Sequence, residues 1–324
     1  MIRRVFAFLT SSSLFAAALA AGSAEVPFPV TLQQWVGDVT ISAPPQRIVA
    51  LGQSDMDALF ALGLTPVAGV GYPYSEDGVA PWLKGQLEAS PIPIGSTSAE
   101  GEVSLEWVVA QNPDLILATG YSNIAPVYEQ LSQIAPTVAG IAGPVLDTWE
   151  EQVALIGQAV GKSAEAEALI GETTARIDAF RENYPAMVGK TFSLSYMYST
   201  SEIATIFEQS DAAVRFFQQL GLEVAPQLAA LEGAETASLG SGILSLERLD
   251  LLEADMMVVA YGSPEYQAKL EDSPLFQGLE TVKAGHYSPL DLTTVAELRI
   301  PTVLGLVWAA ERLEPLLDRT FGQP

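Results

Sequence analysis

The chain has 324 residues, with 39 Asp and Glu against 15 Lys and Arg, and a formal net charge of −24. This acidity excludes nucleic-acid binding as the main task, because neutralising phosphates requires clustered Lys and Arg. The chain contains no cysteine, so disulfides and a cysteine-linked lipid are both excluded. Its length suffices for one or two domains with a large core.

Residues 1–24 have the pattern of a cleaved secretory signal peptide. Arg3 and Arg4 give a positive start, an apolar run extends to Ala20, and small residues follow as far as Ala24. The apolar run is too short to span a bilayer comfortably. We predict cleavage after Ala24, with Ala20 as the alternative site, and a soluble periplasmic protein without a lipid anchor.

The first half of the mature chain alternates strands and helices. Gly37-Asp38 is typical of a hairpin turn between two short strands. Beyond it, strand, helix and strand follow within about two dozen residues, a compact βαβ unit that predicts a parallel sheet. The predicted elements, in order, are a hairpin within 30–41, strand 47–51, helix 54–62, strand 66–70, a helix from 104, strand 115–118, helix 126–133, a strand near 137–138 and helix 147–160.

Residues 163–183 predict one long helix, about 30 Å in length, with a thin apolar stripe suited to bridging two lobes. The alternation then restarts. The predicted elements are strand 191–198, helices 211–220 and 245–252, strand 256–261 and a final helix 301–317. The sequence therefore predicts an N-terminal α/β lobe (25–162), a connecting helix (163–184) and a C-terminal α/β lobe (185–324).

One short pattern occurs once in each lobe. Ser104-Leu105-Glu106 lies ten positions before Asp114, and Ser245-Leu246-Glu247 lies ten positions before Asp255, and each Asp opens an apolar strand. A repeat of the same structural unit in both lobes would explain why this pattern occurs twice. So would coincidence, because Ser caps and first-turn Glu residues are common at helix starts.

The motifs of common enzymes are incomplete. Gly52-Gln53-Ser54-Asp55-Met56 begins like a nucleophile elbow but lacks the closing glycine, and there is no phosphate-binding loop. We therefore expect no enzyme, although sequence alone does not exclude a pair of acids that could cleave glycosides. With His286 as the single histidine and no cysteine, capture of a free transition metal is disfavoured.

Four blocks, in this order and spacing, resemble the class III periplasmic binding proteins, and in particular their iron-siderophore branch. The blocks are Pro45 to Val70, Ser104 to Ala118, Tyr128 to Val138 and Ser273 to Tyr287. The resemblance covers nearly all of the mature chain. It implies two Rossmann-like lobes joined by a single long α-helix, with the ligand cleft between the lobes.

The resemblance also implies a function. Such a protein binds a ferric siderophore and delivers it to an inner-membrane ABC permease with its ATPase. It acts as a monomer and has no cofactor of its own, because the iron arrives within the siderophore. A haem or cobalamin receptor of the same fold is the alternative, since haem needs only one Tyr or His ligand; a periplasmic hydrolase is a more distant one.

Glu106 and Glu247 match the positions at which the family places one permease-docking acid on each lobe. Two separated carboxylates that meet arginine pockets would fix the orientation of docking as well as its strength. The alternative is that both are solvated acids in the first turns of helices.

The cleft is expected where the carboxyl ends of the parallel strands meet. Tyr combines a flat apolar face with one hydroxyl and suits a large amphipathic ligand, although each Tyr could equally pack in the core. The candidate ligand-binding residues are Gln53, Tyr72, Tyr74, Ser96 and Tyr121 in the first lobe and Tyr196, Tyr198, Tyr261 and Arg299 in the second.

Arg299 precedes the final predicted helix, where siderophore-binding relatives often place a cleft arginine. Its guanidinium can bind carboxylate, catecholate or hydroxamate oxygens with two N–H groups; the alternative is a salt bridge to a nearby acid such as Glu297. Relatives that bind trianionic catecholates usually use several arginines, and here only Arg215 joins Arg299 as a candidate. This scarcity favours a hydroxamate or mixed, less charged siderophore.

Overall fold

The computed structural model describes residues 28–98, 101–143, 146–231 and 241–322. The predicted signal peptide, residues 1–24, lies outside the described residues. The described chain forms two α/β halves, each built around its own sheet, with one long helix between them in sequence. We call these halves the N-terminal lobe and the C-terminal lobe.

The N-terminal lobe begins with the predicted hairpin, in which β1 (Val30–Leu32) pairs antiparallel with β2 (Val39–Ile41). A five-stranded parallel sheet follows, in the order β5-β4-β3-β6-β7. Its strands are apolar and mostly buried, as expected for a parallel sheet covered on both faces. They are β3 (Ile48–Ala50), β4 (Ala68–Val70), β5 (Ile94–Gly95), β6 (Leu115–Leu117) and β7 (Thr137–Val138).

Helices connect these strands and cover the sheet. The helix predicted at 54–62 begins one residue earlier, and its last turn is followed by Gly63 at φ +72°, which ends it as expected. The helices of this lobe are α1 (Gln53–Ala61), α2 (Lys84–Ala89), α3 (Leu105–Ala110), α4 (Tyr128–Ile134) and α5 (Trp149–Ala159), with a 3₁₀ turn at Pro81–Leu83.

The long helix predicted at 163–183 is present as α6 (Ser163–Asn183). It buries only Ala166, Thr173, Ile177 and Phe180, which confirms the thin apolar stripe. In the described part of the chain, no helix, α6 included, is both long and apolar enough to cross a membrane.

The C-terminal lobe contains a six-stranded mixed sheet in the order β11-β9-β8-β12-β13, with β10 also paired to β8. Strand β12 is buried along its whole length and lies between the parallel neighbours β8 and β13. Two strands, β9 and β11, run antiparallel at one edge, which the sequence analysis did not predict. The strands are β8 (Thr191–Met197), β9 (Glu202–Ile206), β10 (Glu223–Val224), β11 (Ser241–Ser245), β12 (Met256–Tyr261) and β13 (Tyr287–Leu290).

The helices of this lobe differ from the prediction, which contained none at 226–229, 264–271, 274–277, 280–283 or 292–299. The segment 245–252 is a 3₁₀ helix (Leu246–Leu252), and the final helix is preceded by a separate, unpredicted helix, α12, that packs on α7 and β12. The helices are α7 (Ala212–Gln219), α8 (Pro226–Ala229), α9 (Pro264–Glu271), α10 (Pro274–Gln277), α11 (Glu280–Lys283), α12 (Leu292–Arg299) and α13 (Gly305–Phe321), with a 3₁₀ turn at Pro185–Met187.

The short pattern repeated in the two lobes corresponds to a repeated structure. Asp114 accepts hydrogen bonds from the backbone N–H groups of Gln46 and Arg47 at 2.8 Å each, just before β3. In the same way, Asp255 accepts from the backbone N–H of Thr191 at 2.8 Å, at the start of β8. Each Asp therefore links the strand that follows it to a neighbouring parallel strand by hydrogen bonds. Because the two residues have the same structural role, coincidence does not explain the repeated pattern.

Candidate functional site

A cavity of about 610 Å³ lies between the two lobes. On one side it is bounded by the loops that follow β3, β4 and β6 and by the start of α5. On the other side it is bounded by α7, α12 and the segment that joins α12 to α13. This volume is within the range of sites that enclose small ligands, roughly 300–1,000 Å³.

The N-terminal wall of the cavity is organised by one buried carboxylate. Asp55 accepts hydrogen bonds from the backbone N–H of Thr119 at 3.0 Å, the hydroxyl of Thr119 at 2.6 Å and the backbone N–H of Gly52 at 2.8 Å. Burial raises the pKa of Asp55 to about 6, and these hydrogen bonds oppose the rise. Asp55 thereby joins the loop after β3 to the loop after β6, and both loops line the cavity.

Tyr121 forms part of the same wall. Its hydroxyl accepts from the backbone N–H of Val103 at 3.1 Å and donates to the carbonyl of Gly101 at 3.0 Å. The hydroxyl is thus engaged within the protein, and the residue contributes to the cavity mainly through its ring.

The two lobes meet beneath the cavity in a polar network. Tyr72 of the N-terminal lobe donates its hydroxyl to Glu297 Oε1 at 3.0 Å, and Thr302 lies 3.0 Å from Glu297 Oε2. The Thr302 hydroxyl also contacts Asp57 Oδ2 on α1. Asp57 accepts from Trp82 at 2.7 Å and from Gln53 at 2.6 Å. We call Asp57 and Glu297 the inter-lobe carboxyl pair.

Both members of the inter-lobe carboxyl pair are disposed to hold a proton. Burial raises the pKa of Asp57 to about 6, against the hydrogen bonds it accepts. Burial, and then the charge of Asp57, raises the pKa of Glu297 to about 8. Geometry agrees, because the single hydroxyl proton of Thr302 cannot be donated to both carboxyls at once. One of the two carboxyls must therefore supply a proton to the Thr302 oxygen, and the higher pKa of Glu297 makes Glu297 that donor.

The C-terminal wall centres on Arg299, the last residue of α12. Its guanidinium donates from Nε at 3.0 Å and from Nη2 at 2.9 Å to Asp211 Oδ2, and the side chains of Arg299 and Asp211 are only 15% and 7% exposed. The same guanidinium lies 5.7 Å from the ring centre of Tyr196. Asp211 also caps α7 by accepting from the backbone N–H of Ala213, so the ion pair joins α12 to α7.

The structure brings five of the nine predicted ligand-binding residues together in the lining of the cavity, namely Gln53, Tyr72, Tyr74, Tyr121 and Arg299. Arg215, the second arginine considered, also lines it. Arg299 is ion-paired, as its alternative interpretation held, but its partner is Asp211 rather than the nearby Glu297.

The other four predicted residues, Ser96, Tyr196, Tyr198 and Tyr261, lie outside the lining. Ser96 is exposed, and Thr97 takes its place at the cavity. The Tyr261 hydroxyl is 2.8 Å from that of Tyr287, so Tyr261 belongs to the core. Tyr196 lies behind Arg299, with its hydroxyl 3.2 Å from Ser241, and Tyr198 stacks on it. The physical reason is that α12 and α7 form the wall that β8 and β12 were expected to form.

Sequence reasoning missed several lining residues, among them Ser54, Asp147, Gln152, Phe216 and Glu297. Ser54, which was considered within the incomplete nucleophile-elbow pattern, lies in the first turn of α1 and follows β3, so the rule of strand ends could have found it. Gln152 and Phe216 lie within helices, at positions that carry no local signal for a site.

Within the ranges that the structure describes, no three His, Asp or Glu side chains gather in a group that could hold a metal ion.

Comparison with known proteins agrees with this architecture. A family model described as periplasmic binding protein matches residues 48–291. The chain belongs to the periplasmic binding protein family. This confirms the resemblance found in the sequence, and the matched range spans both sheets and the connecting helix.

Two relatives and one solved structure illustrate the family. The chain is 29% identical over 290 residues to the Fe(3+) dicitrate-binding periplasmic protein FecB of Escherichia coli (strain K12), with 88% of each chain covered. It is 24% identical to the probable siderophore-binding lipoprotein YfiY of Bacillus subtilis (strain 168), with 78% of this chain and 76% of that protein covered. The crystal structure of a periplasmic solute binding protein from Mycobacterium smegmatis matches with a TM-score of 0.75 at 26% identity, covering 90% of this chain and 99% of that one.

Proposed function

We propose that this chain is the periplasmic substrate-binding protein of an ABC importer and that it binds a ferric siderophore between its lobes. The observation that carries the proposal is the 610 Å³ cavity between the lobes, lined by aromatic rings and two arginines. Aromatic faces suit the bulky organic shell of a chelate, and arginine N–H groups suit its oxygen donors. The names of FecB and YfiY support iron complexes as the ligand class.

Fluorescence titration tests this function directly, because Trp149 lines the cavity. We expect ferric siderophores to quench tryptophan emission with one-to-one stoichiometry and to be released unchanged, as a binding protein rather than an enzyme would do. In Trp149→Phe we expect the quenching to decrease, with Trp82 beneath the cavity contributing the remainder, while calorimetry still detects binding. Haem and cobalamin belong in the same panel; tight binding of either, with no ferric siderophore bound, would contradict the proposal.

We further propose that Glu106 and Glu247 dock on the permease. Both are exposed, both lie in the first turn after a serine cap, and both precede the equivalent aspartates Asp114 and Asp255. They therefore occupy corresponding positions on the two lobes, as two-point docking requires.

Charge reversal at both positions, Glu106→Arg with Glu247→Arg, is expected to reduce siderophore uptake at least about tenfold, because like charges would face each other at the permease. Ligand affinity should be unchanged. The measurement is uptake of iron-labelled siderophore in cells that lack their own binding protein, with Glu223→Arg as a control on another exposed acid. Normal uptake by the double variant would rule out docking through these residues.

We also propose how the protein is exported, how its mature chain is divided and that it is a monomer. Residues 1–24 would be removed on export, leaving a monomer without a lipid anchor in the periplasm. The mature chain would consist of lobe 25–162, connecting helix 163–184 and lobe 185–324. Mass spectrometry of the protein in a periplasmic extract checks the cleavage site, and a mature protein that starts at another residue would contradict cleavage after Ala24. Size-exclusion chromatography checks that the protein is a monomer.

A further inference from the structure

The cavity presents few charges to a ligand, and these are balanced. Among the described lining residues, the cations are Arg215 and Arg299 and the acids are Asp147, Glu150 and Glu297. Geometry requires one proton on the inter-lobe carboxyl pair, and Glu297 is neutral because it holds that proton; a proton on Asp57 instead would make the lining more negative. Two cations and two anions therefore remain, and their charges cancel.

Asp211 makes the net charge at the cavity more negative than the lining residues alone would. It does not line the cavity, but its carboxylate accepts two hydrogen bonds from Arg299 and is 7% exposed. A buried carboxylate in such contact offsets most of the field of the guanidinium at the cavity. The whole chain adds to the effect, because a formal net charge of −24 repels anions at a distance.

The remaining described lining residues are uncharged. Apolar and aromatic side chains alternate with neutral polar ones, among them Gln53, Thr97, Ser122 and Thr148. Hydroxyl and amide groups of this kind are suited to hydrogen bonds with uncharged amide and hydroxyl groups of a ligand.

We propose that the cleft is selective for a ferric complex of little or no net charge, of the type in which three hydroxamates cancel the charge of the iron. This inference rests on the proposed function and narrows it. A trianionic tricatecholate complex would enter a cavity with no surplus of positive charge, and its desolvation would not be offset. The proposed ligand differs in charge from that of FecB, which is named for a citrate complex of iron that is anionic.

The test is a competition among three probes: ferrichrome, a neutral ferric trihydroxamate; ferric enterobactin, a trianionic tricatecholate; and ferric dicitrate. We expect the wild-type protein to bind ferrichrome at least about tenfold more tightly than either anionic complex. The key variant is Asp211→Asn, which removes the carboxylate opposite Arg299 while asparagine preserves the cap of α7. It should raise affinity for the anionic complexes about tenfold and change ferrichrome affinity less than about twofold.

Asp291→Asn is the matched control, because Asp291 caps α12 in the same way but does not line the cavity. It should alter none of the three affinities, and thermal melts should show both variants folded. Wild-type preference for an anionic complex, equal affinity for all three, or no response to Asp211→Asn would overturn the charge selectivity while leaving the siderophore function intact. Binding of none of the three, nor of any other ferric siderophore, would overturn the proposed function itself.

Discussion

Asp55→Ala is expected to lower the free energy of unfolding by about 3–5 kcal/mol, because it leaves three buried donors from Gly52 and Thr119 without an acceptor. Ligand affinity should fall by at least about tenfold as well, since the two loops that Asp55 joins line the cavity. Chemical denaturation and ligand titration of the same preparation measure the two effects.

Two further variants define the mechanism. Asp55→Asn keeps the oxygen that faces Thr119 but places an amide N–H against the N–H of Gly52, so we expect an intermediate loss of stability, about 1–3 kcal/mol. Asp114→Ala is the matched control. Asp114 also accepts from two backbone N–H groups, but it is exposed, so water can replace it. If Asp55→Ala cost no more than Asp114→Ala, the buried carboxylate would not be what organises the wall.

Glu297→Gln is expected to flatten the dependence of stability on pH. In the unfolded chain the Glu297 carboxyl loses its proton near its ordinary pKa of 4.5, whereas in the folded protein it keeps the proton up to about pH 8. Between these values the unfolded state binds fewer protons, so rising pH favours unfolding. Glutamine does not titrate, so the variant does not lose stability in this way as the pH rises. Its amide N–H donates to Thr302 as the protonated carboxyl does, and its oxygen accepts from Tyr72.

The two proteins should therefore have similar free energies of unfolding near pH 5, and the variant should be more stable near pH 9 by on the order of 3 kcal/mol. Denaturation at a series of pH values measures the difference. Glu311→Gln, at an exposed glutamate on α13 paired with Arg176, is the control and should follow the wild-type profile. A Glu297→Gln profile parallel to the wild type would show that Glu297 is ionised in the folded protein.

The sequence alone was sufficient to predict the two lobes, the hairpin and the connecting helix. The reason is that apolar periodicity, caps and glycine stops are local: β12 is a continuous apolar run and α6 begins and ends where predicted. The strand-end rule likewise found the first-lobe residues Gln53, Tyr72 and Tyr121, because parallel strands bring the loops that follow them to one edge.

Only the tertiary structure determined the second wall of the cleft and its charge. That wall depends on α12 packing against α7, so Tyr196 and Tyr261, although they lie on the predicted strands, are excluded from the lining. The pairing of Arg299 with Asp211 and the contact between Tyr72 and Glu297, which are 225 residues apart, are long-range contacts. Sequence patterns report local backbone preference and burial, whereas the ionisation of a buried carboxyl depends on neighbours that only the folded chain brings together.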